Sequence, residues 1–212
     1  MKSPSQVFSE YADVLQFLSK SVRPYGLENN KLVEVAGDEG EWFFYSSSML
    51  EEKNWSVMPL WGANLSGLAA NDGRVVDLTE IMKSFFSRKK MDSIFYAIME
   101  KSSKLWYSDI LSFTIAGGKY SVFNEFEDFF GIRAGLGPYM GNVVIWPEDE
   151  SFMIYSDGDN ISFIAGDRAE MEGLLQAPYQ YCMDQFLDYN KRNLSVPAIY
   201  VSMANFCDEH LK

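Results

Sequence analysis

The chain has 212 residues, enough for one domain with its own core and no need of a disulfide or metal staple. Apolar residues make up 47% and aromatics 16%, a core supply that excludes intrinsic disorder. The 30 acidic residues outweigh 18 basic ones for a net charge of −12, which works against nucleic acid and anionic membranes and favours basic partners.

Ser3-Pro4-Ser5-Gln6 carries a cap, a helix-starting proline and a capping-box glutamine. Val7, Tyr11, Val14, Leu15, Leu18 and Val22 then form one helical stripe, so the spacing predicts a packing helix over 3–23 that Pro24 and Gly26 end. Glu10 and Asp13 interrupt this region, which therefore has no signal-peptide core, and no apolar run reaches the ~18 residues of a membrane span. The expected compartment is the cytoplasm. Leu32–Ala36 and Glu41–Tyr45 flank Gly37-Asp-Glu-Gly40 and read as a hairpin. Trp55–Trp61 is a further β-type run, with Pro59 arguing for a sheet edge, and Gly62–Gly73 reads as a loop.

Asp77-Leu78-Thr79-Glu80 is a capping box before the helical stripe of Leu78, Ile81, Met82, Phe85 and Phe86. Arg88-Lys89-Lys90 suits a helix C-terminus better than a phosphate contact. Asp92 is read as the cap of another helix carrying Ile94, Phe95, Ile98 and Leu105. Gly117-Gly118 between Ile110–Ala116 and Lys119–Phe123 signals a two-residue hairpin. Asn124 and Glu127 open a short helix with Phe126, Phe129 and Phe130 that Gly131 stops.

Three β-type runs follow: Val143–Trp146, Ser151–Ser156 and Ile161–Ala165. Pro147-Glu-Asp-Glu and Asp157-Gly-Asp-Asn separate them with turn chemistry. Asp167 with Glu170 caps a helix directly after, giving a meander plus helix over 143–176. Pro178–Arg192 is helical, with Tyr179, Cys182, Met183, Phe186 and Leu187 on one side, while 196–211 fits helix or strand. Hairpins mixed with helices predict a single α+β domain with a largely antiparallel sheet flanked by amphipathic helices.

Little in the chain suggests catalysis. The sole histidine is His210, too few for a His-based zinc site and poorly placed for a Ser-His-Asp or Cys-His site. Asp157-Gly-Asp159-Asn begins like a calcium loop, but Ile161, Ser162 and Arg168 stand where a ligand, a glycine and a glutamate are needed. Gly135-Leu-Gly137 lacks the strand and helix of a dinucleotide fingerprint, and Pro138 intrudes. Cys182 and Cys207 lack metal-ligand spacing and read as buried thiols of a reducing compartment. No cofactor is expected. Trp42, Trp61, Trp106 and Trp146 sit inside apolar patterns and read as core.

The carboxylates of the two meander turns stand out: Glu148, Asp149 and Glu150, then Asp157 and Asp159. They are the candidate contacts for a basic protein partner, since complementary charge speeds association and selects the partner. The alternative is an enzyme using two of these carboxylates, with or without a divalent metal, or an assembly protein of a phage or secretion system. Across Trp146-Pro-Glu-Asp-Glu-Ser151, Tyr155-Ser-Asp157 and Ile164-Ala-Gly-Asp-Arg168 the chain resembles small bacterial immunity-like proteins of polymorphic toxin systems. The resemblance covers residues 143–175. It implies a small acidic cytoplasmic protein that neutralises a toxin; from the residues themselves, which hold no catalytic constellation, the first expectation is a binding protein and the second an enzyme.

Overall fold

The structure is a computed structural model. It describes residues 12–36, 40, 42–60, 68–69, 75–76, 89, 93–100, 114–121, 142–147, 149–156, 162–192 and 198–212. The predicted helices over 77–86 and 124–131, and the glycine-rich stretch 135–141, lie outside these residues. So does the part of the predicted N-terminal helix that precedes residue 12.

Helix α1 (Ala12–Ser21) buries Phe17 and Leu18 and ends two residues earlier than its stripe predicts. Val22, the last member of that stripe, is instead the first residue of strand β1 (Val22–Glu28). This strand was not legible: its buried residues Val22 and Tyr25 break the alternation a strand normally shows, and Pro24 and Gly26 read as terminators. Asn29 and Asn30, at φ 50° and 61°, turn the chain into strand β2 (Lys31–Glu34), with Glu28 opposite Lys31. Two left-handed residues in a two-residue loop suit a type I′ turn, and asparagine tolerates that region. The predicted pairing of the segments on either side of Gly37–Gly40 is therefore corrected. Strand β3 (Trp42–Tyr45) pairs with the opposite edge of β1, giving the sheet order β2-β1-β3.

Gly40 crosses β1 at close range, where a Cβ would collide with the Pro24 ring and stand 3.1 Å from Pro24 Cα. Neither backbone can give way cheaply. Gly40→Ala is expected to cost about 1–3 kcal/mol, the usual range for overpacking, and urea melting would measure it.

Helix α2 (Ser47–Lys53) leads into strand β4 (Ser56–Leu60). Within the expected loop Gly62–Gly73, Leu68–Ala69 (β5) pairs with Val75–Val76 (β6). Strand β7 (Ser93–Glu100) replaces the helix expected after Asp92. Ile94, Phe95 and Ile98 fit a helical face, but 94–99 is also an unbroken run rich in β-branched and aromatic residues, and sheet pairing on both sides decides it. Strand β8 (Thr114–Ser121) runs through Gly117 and Gly118, which pair with Ala97 and Tyr96. The glycines sit mid-strand and make no turn, because the connection between β7 and β8 lies between residues 100 and 114.

The meander stands as predicted: β9 (Asn142–Pro147), β10 (Phe152–Ser156) and β11 (Ser162–Gly166). The large sheet has the order β4-β11-β10-β9-β7-β8, antiparallel throughout. The edge position that Pro59 argued for is where β4 lies. That edge is covered: Ser56, Val57 and Met58 are fully buried, and the Lys212 amide donates to Ser56 Oγ at 2.8 Å. An edge closed by its own chain offers no template for another strand.

Helix α3 (Arg168–Leu175) starts as predicted, with Asp167 Oδ1 accepting from Glu170 N at 2.9 Å. Its buried Met171, Leu174 and Leu175 meet the sheet at β11 and β4. Helix α4 (Tyr179–Arg192) buries Tyr179, Cys182, Met183 and Phe186. Glu172 Oε1 accepts the Tyr179 amide at 2.9 Å and Arg168 Nε at 3.1 Å, and these bonds hold its carboxyl below the ordinary glutamate range. Residues left open between helix and strand form helix α5 (Ala198–Glu209), which packs on β2, β4 and α4. Its buried Ile199, Met203 and Phe206 follow the helical spacing. Both cysteines are free and buried.

One core joins the two sheets and the helices. Phe44, fully buried, lies 4.8 Å from Phe163, 5.1 Å from Phe206 and 5.5 Å from Tyr155 by ring centroids, all edge-on. Its neighbour Tyr45 places a hydroxyl 3.0 Å from Met153 O and 2.8 Å from Phe163 O, pinning β3 onto β10 and β11. The architecture is α+β with antiparallel sheets.

Candidate functional site

The described part of the first acidic turn lies between β9 and β10. Glu150 N donates to Pro147 O at 3.1 Å, and Asp149 Oδ1 accepts the Ser151 amide at 3.0 Å. Glu150 itself sits at φ 51°, a left-handed conformation uncommon for a glutamate. Its carboxylate does not point away as a free contact. Lys53 Nζ donates to Glu150 Oε2 at 3.2 Å and to the Glu150 carbonyl at 3.3 Å.

Lys53 arrives from α2. Ser46 precedes that helix, and Asn54 closes it at φ 53°, with its amide bonded to Glu51 O and Trp55 N bonded to Leu50 O at 2.9 Å. An asparagine in the left-handed cap ends a helix sharply. The chain then doubles back so that Trp55 lies beneath the lysine. The Lys53 ammonium is 4.9 Å from the Trp55 ring centroid and 5.2 Å from that of Phe17. Phe17 packs on Trp146 at 5.8 Å, and all three rings are buried.

This contact joins two acidic segments at one corner. Glu51 and Glu52 are exposed at the end of α2, and Asp149 is exposed on the turn. Glu150 pairs with the ammonium over a floor of packed aromatics, and the other three carboxylates lie exposed on the two segments that this pair joins. The sequence reading names Asp149 and Glu150 as contacts and does not name Glu51, Glu52 or Lys53. The missed signal was the left-handed asparagine cap, since α2 buries only the adjacent Met49 and Leu50 and shows no helical stripe.

Glu148, Asp157 and Asp159 lie outside the described residues. Ser156 and Ser162, opposite each other in the ladder, end β10 and β11 at the side away from Asp149 and Glu150. Asp149 and Glu150 lie at the opposite end of β10 from Ser156. A five-residue strand separates those ends by roughly 17 Å.

Elsewhere, Lys89 of the basic triplet pairs with the Glu170 carboxylate on α3. His210 stacks on Phe206, centroids 4.1 Å apart, with Nδ1 2.9 Å from Phe206 O. A crevice between β10, β11 and α3 is lined by Ser151, Phe152, Asp167, Glu170 and Met171, and packing leaves no room in it for a water molecule. Among the described residues no three His, Cys, Asp or Glu side chains gather where they would hold a metal ion. Among them too, no helix is long and apolar enough to cross a membrane.

No protein-family model, characterised protein sequence or solved structure matches the chain.

Proposed function

We propose that the protein is a non-enzymatic acidic binding protein of the immunity or antitoxin type, which neutralises a basic protein toxin in the cytoplasm. The observation that carries this reading is the corner where Glu51, Glu52 and Asp149 stand exposed while the nearby cation, Lys53, is held by Glu150. A net charge of −12 adds a long-range attraction for a basic partner. Rim charges of this kind chiefly set association rate and partner choice.

The test is the neighbouring gene: if it encodes a toxin domain, that domain is co-expressed with this protein in a bacterial host. Rescue of growth supports the reading, and failure to rescue sinks it. The triple variant Glu51→Gln, Glu52→Gln, Asp149→Asn should then bind that toxin domain roughly tenfold more slowly at low salt, with a shallower salt dependence. Stopped-flow rates at two ionic strengths measure both. An unchanged rate and slope would remove this corner from the interface.

A further inference from the structure

The surroundings of Lys53 amount to a receptor for an organic cation. Two aromatic faces, a carboxylate and a carbonyl converge on its ammonium, at 4.9 Å and 5.2 Å from the ring centroids and 3.2 Å and 3.3 Å from the oxygens. Ring faces and anionic acceptors are what recognise ammonium and guanidinium groups. The walls are fixed: Phe17 and Trp55 are buried, Phe17 rests on Trp146, and the Trp55 amide is bonded to α2. The occupant is less so. Lys53 is the last residue of α2, and its side chain is 28% exposed on a flexible four-carbon stem. Glu150 adds a second sign of a clamp, since its left-handed backbone is a strain that collects at ligand-holding turns.

We propose that this cage receives one basic side chain of a partner, an arginine above all, and that Lys53 fills it in the free protein as a self-ligand that the partner displaces. The inference rests on reading this corner as a docking surface for a basic protein. A guanidinium suits the cage better than the ammonium it replaces. It is planar, stacks on indole, and engages both carboxylate oxygens where Lys53 engages one. The released ammonium reaches water on its four-carbon stem.

The Trp55 indole N–H signal in NMR, titrated with acetyl-arginine amide, reads the cage directly. Lys53→Ala empties it, whereas Lys53→Met removes the charge but leaves it filled. The alanine variant should bind at least about tenfold more tightly than the methionine variant or the unmodified protein, and Lys53→Ala combined with Glu150→Gln should lose that gain. Equal responses of the alanine and methionine variants, or no effect of Glu150→Gln, overturn the proposal. A second arm uses the unmodified protein and an octa-arginine peptide. The peptide should shift Trp55, and Glu150→Gln should weaken that shift about tenfold. A peptide that binds without moving Trp55 overturns the cage and leaves the acidic corner standing. A peptide that does not bind overturns both.

Discussion

Phe44→Ala should destabilise the fold by about 3–5 kcal/mol, the range for deleting a buried phenylalanine. The site argues for the upper half of that range. Phe44 is fully buried and meets Tyr155, Phe163 and Phe206 edge-on, so it links the small sheet to β10, β11 and α5 at once. Each edge-to-face pair adds about 0.5–1.5 kcal/mol beyond burial. Neighbouring rings have little freedom to collapse into the gap, because Tyr45 beside it is tied to Met153 O and Phe163 O. With total stability of about 5–15 kcal/mol expected for a domain, the variant would be close to unfolding at growth temperature. Urea melting decides it, and a loss under about 1 kcal/mol would mean that the two sheets do not share this core.

The segments legible in the sequence are those whose structure is decided locally. The meander was readable because turn residues bracket each run, and α3 because Asp167 and Glu170 mark its start in four residues. Both survive with their predicted bounds nearly unchanged. What failed was decided by partners far along the chain. Residues 94–99 satisfy helix and strand patterns alike, and only the flanking strands β8 and β9 choose between them. Gly117-Gly118 is a turn signal in isolation but lies mid-ladder opposite Ala97 and Tyr96. Pro24 and Gly26 read as the end of the first helix, yet β1 carries them in the middle of the three-stranded sheet. The candidate site is of the same kind. Lys53 and Glu150 are 97 positions apart, and no spacing rule pairs them. The sequence reading named five carboxylates of two turns, and of these the described residues show Asp149 and Glu150 beside Lys53's helix.

Raising the pH should unfold the protein steeply between about pH 10 and about pH 11. The cause is a set of weak acids held protonated in the core. Burial pushes the Cys182 thiol up to about 12 and the Cys207 thiol well above its ordinary range. It likewise raises the phenols of Tyr25, Tyr45 and Tyr179 far beyond the usual tyrosine value. In the unfolded chain thiols ionise near pH ~8.5 and phenols near pH ~10. Below those values both states are protonated and the groups leave stability unchanged. Above them the unfolded chain loses protons that the native state keeps, so stability falls as pH rises, by about 1.4 kcal/mol per group and pH unit. Two thiols and three phenols together remove on the order of 10 kcal/mol by about pH 11, comparable to the whole stability of a domain. Urea melting at about pH 8 and about pH 10.5, with phenolate absorbance followed alongside, checks the expectation. The buried tyrosines should ionise only together with loss of near-ultraviolet dichroism. If all phenols titrate near their ordinary pH while the fold persists, the core that encloses Tyr25, Tyr45 and Tyr179 is open to water and the argument fails.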